Sequence, residues 1–404
     1  MQFLVFVFAA MITALAAASA VGQAPTPLAP SYRFSSNGAS LNIPVEVVAD
    51  GLVFVHVKVN GRPGWFIVDN GTQGFVVSRD FAARISLATS GSAVTREVGS
   101  DASPAGIVRD VQISLPGLDL THRNLVVIDL KSLGPAIGHE VDGIIGSRLF
   151  DDFIVVVDYE RGRLSVHLPQ QYRTSGKETV FPVRLDAHGF QYIDATISLP
   201  GAAPVTGNFL IDGGANYYAN IYKPFSDAHH IPPPTMKLVY DPGTAPDGRA
   251  DLINVGSYSV KNPPITFAQD VEGLMAAKDY AGLIGAEFLK RFTVVFDSPG
   301  KRILLTPNRS YGDQPQYDQS GLRIRAEGRD FHRFVVTRVV PQSPAVDARI
   351  EPGDVITSID GHPAHELTLT EVRSMLRRPE ARSTLGITRG DKRLSLAIQL
   401  RPLL

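Results

Sequence analysis

Two aspartates stand out by what precedes and follows them. Asp69 ends the apolar run Trp65-Phe66-Ile67-Val68 and opens Asp69-Asn70-Gly71; Asp212 ends Phe209-Leu210-Ile211 and opens Asp212-Gly213-Gly214. One Asp-x-Gly after an apolar run is ordinary turn chemistry. Two at equivalent places in a repeated unit are a candidate carboxylate pair, because a pseudo-twofold axis would bring them together. Carboxylates about 3 Å apart cannot both ionise, so such a pair shares a proton. One member can then take a proton from water while the other polarises a carbonyl.

The elements that must position these residues also repeat. Asp142-Gly143-Ile144-Ile145-Gly146, followed by Phe153 and Asp158, is echoed by Ala281-Gly282-Leu283-Ile284-Gly285, Phe292 and Asp297. Both motifs recur in the same order at nearly the same offset, which marks a duplicated unit. Val53, Val55, Val57 and Val59 alternate with His56 and Lys58 before Asn60-Gly61, a strand-and-hairpin signature. The reading is two β-rich lobes, residues 41–168 and 178–307, joined by the polar stretch 169–177.

Residues 1–20 carry no charge, hold an apolar run and end in Ala18-Ser19-Ala20, which reads as an export leader, cleaved or kept as an anchor. Residues 21–40 form a Pro/Ala/Ser-rich lead-in. No later stretch is apolar enough for a membrane span, so the mature chain is expected to have none and to be periplasmic or extracellular. With 39 Lys+Arg against 40 Asp+Glu the chain lacks the footprint of a nucleic-acid binder, and with no cysteine it has no thiol chemistry. No zinc-binding helix, serine elbow or phosphate loop occurs, so neither a metal nor a cofactor is expected.

Each lobe, with its Asp-x-Gly loop and later Gly-apolar-apolar-Gly motif, resembles the retropepsin-like aspartic proteases, and the tandem resembles the bilobal pepsin arrangement. The resemblance implies a mainly β fold of two β-barrel lobes, with Asp69 and Asp212 catalytic and Asn70, Gly71, Gly213 and Gly214 shaping their loops. It implies that the second motif passes behind each aspartate. It also implies a Thr or Ser directly after each Asp, where this chain has Asn70 and Gly213, and a hydroxyl two positions beyond each motif glycine, where it has Gln73 and Asn216. Two readings therefore stand: an aspartic endopeptidase, or an exported peptide-binding scaffold that has lost catalysis. Residues 90–106 and 240–248 are the candidate flaps over a cleft between the lobes, and Tyr217, Tyr218 and Tyr240 are candidate subsite or packing residues. Pairing of lobes between chains is a further alternative.

After a linker at 308–319, residues 320–404 resemble a bacterial PDZ domain: Gly321-Leu322-Arg323-Ile324, Ser343-Pro344-Ala345, Pro352-Gly353-Asp354-Val355-Ile356 and Ile359-Asp360-Gly361. The resemblance implies that Gly321, Leu322, Arg323 and Ile324 form a free edge strand. Together with a helix at 370–378 it would take up a peptide or protein C-terminus.

Overall fold

The strand Leu52–Val59 buries its valines and leaves His56 and Lys58 outside, so it lies on a barrel wall with one wet face. Asn60 and Gly61 both take positive φ, the conformation a two-residue hairpin needs, and the chain returns as Arg62–Val68. That second strand delivers Asp69. In a computed structural model, residues 11–13, 31–89, 91–96, 103–241, 243–271 and 273–404 are described. Most of the expected leader and lead-in, and residues 97–102 in the first candidate flap, lie outside them.

Each lobe crosses its aspartate strand with a parallel support strand. In the first, Gly143–Ile145 pairs with Arg62–Val68, setting Ile145 beside Val68; in the second, Gly282–Gly285 pairs with Val205–Asp212, setting Gly285 beside Asp212. These are the repeated Gly-apolar-apolar-Gly motifs, and their glycines are dictated by space. A Cβ on Gly146 would come within 2.3 Å of the Thr72 and Gly74 carbonyls, and one on Gly285 within 2.3 Å of the Ala215 carbonyl.

The lobes are joined through six consecutive strands of a 15-stranded sheet, in the order Ala39–Val48, Arg163–His167, Ile154–Asp158, Phe292–Asp297, Arg302–Pro307 and Thr179–Pro182. The two central strands of the six are equivalent in the repeat and run antiparallel. Val155 faces Phe296, Val156 faces Val295 and Val157 faces Val294. Val156 and Val295 are each other's counterparts, so the pseudo-twofold axis passes through that pair. Phe150 and Phe296 pack edge to face across the same boundary, and one apolar core runs through both lobes.

The C-terminal unit is a six-stranded sheet with its own apolar core, opening with the edge strand Leu322–Glu327. Its helix Leu369–Leu376 starts at a capping box in which Thr368 and Glu371 satisfy each other's amides. Among the described residues no helix is long and apolar enough to cross a membrane.

Candidate active site

Asp69 and Asp212 are brought together at the axis with no solvent exposure at all. Their neighbours show how close the loops cross. A Cβ on Gly71 would sit 2.7 Å from the Asp212 carboxylate, and one on Gly214 would sit 2.1 Å from the Asp69 carboxyl carbon. Only glycine fits either place, so both motif glycines make room for the opposite lobe's acid.

The supports of the two acids differ. The Gly71 amide donates to Asp69 Oδ1 at 2.8 Å and the Thr72 hydroxyl donates to Oδ2 at 2.6 Å. Asp212 receives the Gly214 amide on Oδ1 at 2.9 Å and is hydrogen-bonded to the Asp69 carboxyl, with no side-chain hydroxyl bonded to it among the described residues. Burial drives both carboxyls up. For Asp69 the Thr72 and Gly71 bonds oppose it and the result is about 6. For Asp212 the Asp69 charge adds to burial and the group rises well above the ordinary value. Burial and the Asp69 charge together weigh most against an ionised Asp212, while the Gly71 and Thr72 bonds favour the anion on Asp69.

Asn70 ties the loops across the axis. Its side-chain Nδ2 donates to the Ile211 carbonyl at 2.5 Å and its Oδ1 accepts from the Gly213 amide at 2.8 Å. A single carboxamide on the first loop thus engages two backbone groups of the second, so Gly213 needs no side chain. The hydroxyl expected two positions past the first motif glycine is supplied one position past it, by Thr72, which the sequence reading missed. Its counterpart is Ala215, which has none. An Asp-x-Gly-Thr run was the available signal.

Two further expectations change. The arms of the first candidate flap, Gly91–Arg96 and Ser103–Leu115, do form an antiparallel hairpin. Residues 240–248 are no free flap, because Asp241 is held by Arg323 at 3.0 Å and Arg338 at 3.1 Å, both from the C-terminal unit. Tyr217 and Tyr218 are buried packing residues, and Tyr218 accepts a bond from Arg291; Tyr240 is exposed.

The edge strand at Gly321, Leu322, Arg323 and Ile324 faces the first lobe instead of solvent. The short helix Leu133–Ile137 packs against it, Arg373 donates to the Ala136 carbonyl, and Arg377 pairs with Asp50 at 2.7 Å. The Gly321 amide is already taken by Asp318 and the Leu322 amide by the Ser320 hydroxyl. The strand therefore borders the first lobe, a contact the local motif could not have foretold.

Residues 55–149 match the family model for aspartyl proteases, and residues 308–400 match that for PDZ domains. The chain carries an aspartyl protease-like domain and a PDZ domain. The aspartyl protease match lies within the first lobe, and the second lobe repeats its Asp-x-Gly loop and parallel support strand. Among solved structures the chain is similar to an aspartic proteinase from Irpex lacteus, at 13% identity over 68% of this chain and 99% of that one, with a TM-score of 0.45. No curated protein matches the chain.

Proposed function

We propose that this chain is an exported aspartic endopeptidase that hydrolyses peptide bonds with water activated by Asp69 and Asp212, with the PDZ domain contributing to peptide recognition. The observation that carries this reading is the pair of buried, mutually contacting carboxyls with unequal supports. Asp69, stabilised as the anion by the Gly71 amide and Thr72 hydroxyl, takes a proton from the water. Asp212, protonated, donates to the carbonyl oxygen as the water oxygen bonds to carbon. Collapse of the tetrahedral species then breaks the C–N bond as Asp69 passes its proton to the amine nitrogen and a hydroxyl of the tetrahedral carbon returns a proton to Asp212. Because Asp69 must be ionised, the rate should fall as pH drops through about 6.

One observation favours the non-catalytic alternative. Ala215 leaves Asp212 without the side-chain hydroxyl that Thr72 gives Asp69. The test incubates wild type, Asp69→Asn and Asp212→Asn with a peptide library from pH 4 to 8, with and without a statine-type inhibitor. Cleavage by wild type alone, blocked by the inhibitor, is the expected result. No cleavage by any of the three at any pH would leave peptide binding as the function.

A further inference from the structure

The PDZ helix Leu369–Leu376 grips the first lobe at two places, and each leads by direct contacts to an aspartate loop. The first is the short helix Leu133–Ile137. Arg373 Nη2 donates to the Ala136 carbonyl at 2.8 Å, and two glycines mark how closely the units approach. A Cβ on Gly138 would come within 2.7 Å of the Leu369 Cβ, and one on Gly134 within 3.2 Å of the Phe331 ring. On its other side the helix buries Leu133 and Ile137 in one apolar cluster with Phe54 and Ile67, the residue two before Asp69. The chain leaving the helix is bonded to that same strand. His139 packs edge to face on Trp65 with ring centroids 5.1 Å apart, the Asp142 amide donates to the Trp65 carbonyl at 2.8 Å, and the Trp65 amide donates to Asp142 Oδ2 at 3.0 Å.

The second place is the turn Ala49-Asp50-Gly51. Arg377 closes a two-bond fork on Asp50, Nη1 to Oδ1 and Nη2 to Oδ2, each at 2.7 Å. Ala49 holds a φ of 46°, a strained conformation for alanine that persists where the surroundings impose it. From the other side the turn meets the second lobe. Lys290 lies 3.7 Å from Asp50, and a Cβ on Gly51 would come within 2.8 Å of the Ala286 carbonyl. Ala286 opens the helix that follows Gly285, the residue paired with Asp212. The Ala286 amide donates to the Ala215 carbonyl at 2.7 Å and the Glu287 amide to the Tyr217 carbonyl at 3.1 Å. The turn is thus wedged between the PDZ helix and the backbone that frames the Asp212 loop.

We propose that the PDZ unit is a clamp on the two lobes, with Arg373 and Arg377 as positioning residues that hold the Asp69 and Asp212 loops in register. Four apart on one helix, the two arginines project from the same face. Arg373 sets the helix Leu133–Ile137 and through it the strand of Asp69. Arg377 sets the turn and through it the helix behind Asp212. Neither has to touch substrate, because a small displacement of the acids from a contact far from the chemistry is enough to cost about 100-fold in rate. The kinetic consequence rests on the peptidase reading above; the mechanical link does not. The PDZ unit has its own apolar core, so loosening the clamp leaves it folded.

The test compares full-length wild type with Arg373→Gln, Arg377→Gln, Asp50→Asn and the double variant Asp50→Asn/Arg377→Gln. Amide exchange should speed at least about fivefold in Leu133–Ile137 and in the loops following Asp69 and Asp212, and stay unchanged in the PDZ strands Val355–Ile359 and Arg382–Arg389. Emission from Trp65 should shift in Arg373→Gln. For a peptide that wild type cleaves, kcat should fall at least about tenfold with KM changed less than about twofold, and the double variant should be no slower than Arg377→Gln, since the pair is already lost. Asp50→Asn lies outside the PDZ unit and keeps the question answerable if an arginine variant fails to fold. Unchanged exchange in both aspartate loops, or a rise in KM at constant kcat, would overturn the proposal. Failure of wild type to cleave any peptide would refute the peptidase reading, and the exchange and Trp65 signals would still decide the clamp.

Discussion

Asn70→Leu keeps the volume of the side chain and removes both bonds that cross the axis. The Ile211 carbonyl and Gly213 amide it serves are buried, and the leucine offers neither donor nor acceptor. Each orphaned buried peptide group costs about 1–3 kcal/mol, so the variant should lose about 2–6 kcal/mol. The loss falls on the contact between the aspartate loops and not on a subsite. Activity should therefore drop through kcat with KM little changed, by about 30-fold if only about 2 kcal/mol is expressed at the transition state. Trp65, the single tryptophan, lies on the strand that leads into Asp69 and reports the unfolding of that lobe in urea. A urea midpoint unchanged from wild type, with kcat also unchanged, would show that the carboxamide does not hold the loops together.

The acids themselves should destabilise the fold at neutral pH. Both folded-state pKa values lie above the ordinary carboxyl value, so the favourable contribution is complete below about pH 3.8 and is lost as pH rises through about 6. Asp69→Asn should therefore be more stable than wild type at pH 7.5, by about 3 kcal/mol for a shift of roughly two units, and no more stable at pH 3; a gain of equal size at both pH values in urea titrations would contradict this. Thr72→Val removes a bond that favours the Asp69 anion, so the acid limb of the pH–rate profile should move upward, and a limb that stays in place would remove Thr72 from the mechanism. Arg377→Gln leaves Asp50 without the guanidinium that, against burial, brings its pKa down to about 2; this contribution is present above pH 3.8 and lost as pH falls through 2. The substitution should cost about 3 kcal/mol at neutral pH and speed amide exchange in Leu133–Ile137, and unchanged exchange there would mean that the PDZ contact does not rest on this pair.

What could be read from the sequence was whatever repeats or has a local period. The valine alternation before Asn60-Gly61, the duplicated Asp-x-Gly loops and the paired Gly-apolar-apolar-Gly strands each carry their meaning within a few residues. The duplication turned two weak signals into a shared axis. Thr72 was in plain view but was passed over because the hydroxyl was sought one residue too far along. The role of Asn70 was harder to see, since an amide replacing a hydroxyl reads as a loss until the facing Gly213 amide and Ile211 carbonyl are both in reach. The PDZ docking was illegible for a different reason. Asp50 meets Arg377, and Asp241 meets Arg323 and Arg338, across separations at which nothing in the local pattern selects a partner.

The sheet that passes through Val156 and Val295 has a consequence for how such a site can change over time. Two identical subunits meeting on an axis must carry the same loop, so any substitution appears twice and must suit both places. Here the halves lie on one chain and share a core, so assembly of the dyad requires no encounter and should not weaken on dilution. Each loop can then drift by itself. One is a donor-rich cradle with Asn70 and Thr72, while the other presents Gly213 and Ala215. The fixed difference in support between the two acids, Thr72 beside one and Ala215 beside the other, is open to a pair carried on one chain and closed to a pair built from two identical subunits.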